Sequence, residues 1–386
     1  MAIHLAIPLL REYDTIKNFL QNISTFDADD VYIWFCINNP LEWHNKSSFS
    51  DYLQENEKTY NYLVQQGFRD VDLNNPVSYK YNVIDKFSFH NAFAKGKSGV
   101  GQARKIIFDH ICKYFEKNDV IISMDADTHY EQSYVKSIVK AFQQHKSAIG
   151  LCGPYYHPAI YDDEHNNHIL RYEIYLRHYF LNLARIHNPY TFTAMGSVIG
   201  FKVSTYQKLR GMTPYASGED FYFVQKLVKN GNVLLWHDSL AYPDGRYSDR
   251  VGFGTGPALN NLKNLNRTSY PLYSDVYFNE IKETFDHFEE LYKKDVELPM
   301  TRFLKSTFKT DDLWQPLRDN YKDMENFTKA CVNKVDALRI LQYLHFRQSS
   351  HDAKDIVYPV ESYKHIREDM YSQEQKQRRQ HDLNIS

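Results

Sequence analysis

The sequence predicts an α/β fold: a mostly parallel sheet flanked by helices, followed by a helical C-terminal extension. Three observations predict it. Apolar runs of strand length alternate with amphipathic helical patterns through the first 150 residues. The run from Val31 to Ile37 is continuously hydrophobic and β-branched, as in a strand covered on both faces. After about Tyr270, turn residues thin out and helical spacing takes over.

Ile3 to Leu9 reads as the opening strand, with Pro8 inside it and Arg11-Glu12 ending it. Asp14 is placed to cap a helix in which Ile16, Phe19, Leu20 and Ile23 recur on one face. The strand Val31 to Ile37 comes next, then a helix ending at Gly67 and a polar loop from Phe87 to Gly101. Ala103, Ile106, Ile107, His110, Ile111 and Tyr114 mark a second amphipathic helix that leads into the strand Val120 to Met124. Val135, Ile138, Val139 and Phe142 define a third. The expected division is one domain over residues 1–269 and an extension over 270–386, patterned by Val335, Leu338, Ile340, Leu341 and Leu344. The last stretch, QEQKQRRQHDLNIS, reads as solvated or disordered.

Composition narrows the function classes. With 42% hydrophobic and 24% charged residues, the chain is globular rather than disordered. Lys plus Arg number 46 against 48 Asp plus Glu, which gives no global electrostatic case for a nucleic-acid partner. Cys36, Cys112, Cys152 and Cys331 form no CxxC pair and are expected as reduced thiols, neither a zinc site nor a disulfide framework. No run approaches the ~18 apolar residues of a membrane helix, and the N-terminus lacks the basic region and cleavage site of a signal peptide. A cytoplasmic location is expected, with peripheral association at the inner face of the membrane left open.

Asp125-Ala126-Asp127 follows the strand 120–124 directly. Two carboxylates at i and i+2 beyond a strand end converge on the sheet's carboxyl edge, where their oxygens suit a hard divalent cation. A solvated acidic turn is the plainer alternative. Gly218-Glu219-Asp220 opens a helix bearing Phe221, Val224, Leu227 and Val228. Acids there favour the helix dipole, yet a carboxylate in that place also supplies the base that a hydroxyl acceptor needs. Gly96-Lys97-Ser98 resembles the end of a phosphate-binding loop, but Asn91 stands where that motif requires glycine.

In this order the features resemble a GT-A-fold glycosyltransferase similar to glycosyltransferase family 2. They are Ile7-Pro8, Gly101-Gln102-Ala103-Arg104, the DxD at 125–127, Gly196-Ser-Val-Ile-Gly200, Arg210-Gly211-Met212 and Glu219-Asp220. The resemblance covers about residues 1–250. It implies a GT-A-type, Rossmann-like fold and an inverting transfer from a nucleotide-diphospho-sugar to a hydroxyl acceptor, a saccharide or glycolipid. Cell-surface polysaccharide or glycolipid synthesis is the expected setting, and UDP is preferred to GDP as carrier. By the same resemblance, Asp127 would hold Mn²⁺ or Mg²⁺, with Asp125 on the metal or the ribose. Asp220 would be the catalytic base and Glu219 would hold the acceptor. Pro8, Glu12 and Asn38 fall where the family seats the nucleoside, and Arg104 falls near the nucleotide or diphosphate. Family members often carry an acid after the second strand; Asn38 departs from this and leaves the base choice open. Arg250, in a glycine-rich stretch from Arg246 to Gly256, is expected on the diphosphate, and His237 is a candidate third metal ligand. Two other readings stand beside this one. A haloacid-dehalogenase-like phosphatase would use Asp125 as nucleophile, and a non-catalytic protein would only bind a nucleotide-sugar.

Overall fold

The computed structural model describes residues 1–77, 79–215, 218–248, 254–264, 272–349 and 359–385. Ten strands occur among them: β1 (Ile3–Leu9), β2 (Val31–Asn38), β3 (Arg69–Asp70), β4 (Tyr81–Lys86), β5 (Val120–Ser123), β6 (Thr128–Tyr130), β7 (Ala148–Cys152), β8 (Ile199–Lys202), β9 (Asn232–Leu234) and β10 (Ala241–Pro243). Eight form one sheet in the order β3-β4-β2-β1-β5-β8-β7-β9, and β10 pairs with β6 in a separate antiparallel ribbon. The sheet is mostly parallel, as expected; only β8 runs against its neighbours β5 and β7.

The hydrophobic runs explain the middle of the sheet. Leu5, Ile7, Trp34, Phe35 and Ile37 are fully buried, because helices cover both faces and leave no solvated side to alternate toward. Pro8 sits opposite Cys36 of β2. The pairing of β1 with β5 ends at Ala6–Ser123, so beyond that point β1 has lost one partner, a place where a strand tolerates proline.

The first helix runs Tyr13–Ile23 and buries Ile16, Phe19 and Ile23. Its cap differs from expectation. Glu12, not Asp14, precedes the helix, and no side chain caps it. The Glu12 carboxylate is turned instead toward Thr15 and Arg246.

Two compact units do not follow a single cut at 269/270. One comprises residues 1–172, 192–267 and 375–386; the other comprises 173–191 and 268–374. The second is helical, with Phe278, Ile281, Leu304, Phe327, Ile340 and Leu344 buried. Its Arg177 is fully buried beside Glu173 and Glu374, so the charge is neutralised inside that unit.

The C-terminal stretch expected to be solvated is the end of a helix, Val360–Ile385. Within the first unit, Arg378 is wholly buried and donates through Nη1 to the carbonyls of Cys152 (2.9 Å) and Trp236 (3.4 Å). Asp382 accepts the Leu235 amide at 2.8 Å. These side chains satisfy backbone groups where β7 and β9 end, the reason a strongly polar sequence is folded in rather than frayed. Cys36, Cys152 and Cys331 are buried free thiols and Cys112 is half-buried, as expected. Among the described residues, no helix is long and apolar enough to cross a membrane.

Candidate active site

Register brings the candidate residues to one edge. Leu9, Asn38 and Ser123 end parallel strands there, and Ile199, which pairs with both Ser123 and Cys152, begins β8 at the same edge. The chain leaves β5 in a tight turn, with the Thr128 amide on the Asp125 carbonyl at 3.2 Å. The Tyr130 hydroxyl fixes this turn. It accepts the Asp125 amide and donates to the Ser197 carbonyl, each at 3.1 Å.

Arg104 lies 4% exposed beneath the acids. It comes from the helix Val100–Tyr114, in phase with Ile107, Phe108 and Ile111 on the buried face. Its Nη2 donates to Asp125 Oδ1 at 2.6 Å and its Nη1 to Glu219 Oε1. One guanidinium therefore bridges the end of β5 to the start of the helix Glu219–Asn230, holding both acids by charge-assisted bonds. Burial works against its charge, but Asp125 and Glu219 outweigh it and raise the guanidinium above its ordinary value. Glu219 is 3% exposed, and burial pushes its carboxyl up to about 7 against the pull of Arg104. Burial also raises Asp125, with Asp127 adding to the push and Arg104 opposing it. Solvent tempers that rise, since 31% of the Asp125 side chain is exposed. Asp220 is half-buried, and its Oδ1 takes the Phe221 amide at 2.7 Å.

Glycines make room for this bridge. A Cβ at Gly196 would fall on the Arg104 guanidinium, and one at Gly101 would strike the Tyr215 carbonyl. Gly218 enters the acid-bearing helix at φ 71°, which glycine adopts without strain. Gly196→Ala is expected to destabilise the protein by about 1–3 kcal/mol, the usual cost of overpacking a core. Urea unfolding measures it, and unchanged stability would mean the guanidinium has room to move.

A second cation faces the DxD. Arg246 Nη2 donates to both Glu12 oxygens, at 2.8 and 2.9 Å, and to Asp127 Oδ2 at 2.9 Å. Here too the carboxylates outweigh burial and raise the guanidinium. The segment bearing Arg246 is held by the β6–β10 pairing, by the Asp244 amide on the Asp127 carbonyl at 3.0 Å, and by Glu131, which accepts the Leu240 amide at 3.0 Å.

Of the expected site residues, Glu12, Arg104, Asp125, Asp127, Glu219 and Asp220 thus occupy this edge. Asn38 ends β2 at the same edge, buried; its Nδ2 donates to the Leu9 carbonyl, and its Oδ1 has no hydrogen-bond partner. Pro8 is buried within β1. Arg250 lies outside the described residues. His237 is held between Asp238 and Asp382, each at 3.4 Å, rather than beside the DxD acids. Among the described residues, no three His, Cys, Asp or Glu side chains are grouped to hold a metal ion by themselves.

Residues 120–259 match the family model described as Glycosyl transferase family group 2. The chain resembles a family 2 glycosyltransferase. The matched segment begins with β5, contains both acid pairs and Arg246, and leaves Glu12, Asn38 and Arg104 before it. No curated protein sequence matches the chain. Among solved structures it is similar to S. aureus TarS 1–349 in complex with UDP-GlcNAc, at 14% identity over 92% of this chain and 95% of that one, with a TM-score of 0.42. It is also similar to the mannosyltransferase PcManGT of Pyrobaculum calidifontis in complex with GDP-Man and Mn²⁺, at 10% identity over 99% and 86%, TM-score 0.40. A third is glucosyl-3-phosphoglycerate synthase of Mycobacterium tuberculosis with Mn²⁺, UDP and glucosyl-3-phosphoglycerate, at 11% identity over 73% and 79%, TM-score 0.39.

Proposed function

We propose that this chain transfers a sugar, with inversion, from a nucleotide-diphospho-sugar to a hydroxyl acceptor, with UDP preferred to GDP. The observation that carries the reading is the convergence of two acid pairs, 125/127 and 219/220, on one sheet edge through Arg104, inside the segment that matches the family model. The two pairs suit different tasks. Asp125 and Asp127 offer oxygen donors too few to cage a metal alone, which fits Mg²⁺ or Mn²⁺ completed by diphosphate oxygens. A metal so bound would neutralise charge on the departing diphosphate. Glu219 is locked on Arg104, so Asp220 is the carboxylate left to accept the acceptor's proton, while Arg104 keeps its helix in register with the DxD.

The phosphatase reading fits less well. Asp125 follows the fourth strand of the main sheet in chain order after β1 rather than its first, and its Oδ1 is bound by a buried arginine instead of being presented as a nucleophile. Within the transferase reading, a saccharide or glycolipid acceptor and a site of action at the inner face of the membrane are part of the same proposal.

Calorimetry tests it. Wild type should bind UDP or GDP in the presence of Mn²⁺, and Asp127→Ala should weaken that binding by more than the ~10–100-fold that loss of a residue merely supporting a metal ligand costs. Equal affinity in the variant, with and without chelator, would overturn the assignment.

A further inference from the structure

Three carboxylate oxygens from two segments surround a single nitrogen of Arg246: both oxygens of Glu12 and Oδ2 of Asp127, all within 2.8–2.9 Å. This is a cation site filled by the chain itself. Glu12 is built to face it. The side chain is 8% exposed, and the Thr15 hydroxyl donates to Oε2 at 2.6 Å, which fixes the carboxylate's orientation. The arginine is held less firmly than its neighbour. Arg104 uses both terminal nitrogens and is 5% exposed at its side chain; Arg246 is held through Nη2 and is 26% exposed at its side chain.

We propose that Arg246 makes metal entry conditional on nucleotide. The inference rests on the transferase reading above and deepens it. A divalent cation arriving alone reaches Asp127 only by displacing a guanidinium that already neutralises it, with the loss of three charge-assisted contacts. A nucleoside diphosphate changes the balance, because its phosphate oxygens are ligands that a displaced guanidinium pairs with well. Metal and nucleotide then favour each other through one side chain, and the coupling is reciprocal: each raises the other's affinity by the same factor. The site would stay closed to metal until the donor arrives.

The test reads metal binding rather than turnover. Free Mn²⁺ is followed by electron paramagnetic resonance in titrations of wild type, Arg246→Ala, Arg246→Gln and Arg246→Lys, first without nucleotide and then with UDP or GDP. Without nucleotide, the Ala and Gln variants should bind Mn²⁺ about tenfold or more tightly than wild type, within the usual range of such couplings. Arg246→Lys keeps a cation and should stay near wild type. The gain in Mn²⁺ affinity on adding nucleotide should shrink in Ala and Gln by the same factor. Unchanged or weaker Mn²⁺ binding in both folded variants, as judged by circular dichroism, overturns the proposal. Failure of the transferase reading looks different: wild type itself would show no nucleotide-dependent gain.

Discussion

Arg104→Met is expected to cost about 3–5 kcal/mol of stability at neutral pH, because it leaves buried carboxylates without their counter-ion. Methionine keeps most of the side chain's bulk, so the loss reports charge more than packing. The pH dependence gives the sharper signature. Glu219 has a folded value of about 7 against 4.5 for an ordinary glutamate. An acid raised on folding binds more protons in the native than in the unfolded state, so its contribution is fully present below about 4.5 and lost as pH rises through 7. Without Arg104 the largest counterweight to burial is gone, and this window extends upward. The stability gap between Arg104→Met and wild type should therefore narrow on going from pH 8 to pH 6. Adding Glu219→Gln should recover part of it. Urea titrations across that range decide the matter; a gap independent of pH and untouched by Glu219→Gln would mean that Arg104 acts by packing.

Asp220→Asn should keep fold and nucleotide affinity while losing about 10²–10⁴ in turnover, the usual cost of removing a general base. The geometry makes the substitution clean. Asp220 Oδ1 accepts the Phe221 amide at 2.7 Å, and the carbonyl of asparagine can accept the same bond. As a first-turn acceptor for the Phe221 amide alone, the residue would tolerate the change nearly silently. Donor binding and turnover measured on the same protein separate these outcomes. Wild-type turnover with a working acceptor would leave Asp220 as a first-turn acceptor for the Phe221 amide and turn attention to Glu219.

The strands that build the sheet were legible because burial on both faces writes itself as an unbroken apolar run, as in Val31 to Ile37. The DxD was legible because a polar pair directly after such a run has one place to go, the sheet edge. Arg104 was less so. Its phase with Ile107, Phe108 and Ile111 signals a buried position, but a lone arginine on an apolar face does not say which acids neutralise it. Arg246 lay in a stretch already suspect for its charge, with Arg250 the residue chosen. That Arg246 meets Glu12 depends on the antiparallel pairing of two three-residue strands, too short to leave a pattern. The division into units was hidden for a different reason. Arg378 and Asp382 sit in a run as polar as any solvated tail, and only the strand ends they satisfy explain their burial.

The fixing of β7 and β9 by Arg378 and Asp382 also orders events during synthesis. All eight strands of the main sheet leave the ribosome by Leu234, yet the partners of the Cys152 carbonyl and the Leu235 amide lie beyond the whole stretch 268–374. At the usual ~5–20 residues per second, the nascent sheet waits on the order of ten seconds for them. During that interval the edge bearing β9 is unfinished, and a chain halted before residue 375 carries both acid pairs, 125/127 and 219/220, on a sheet whose last two strand exits are open. Completion of the second unit and maturation of the first are thereby tied to the same late moment of translation.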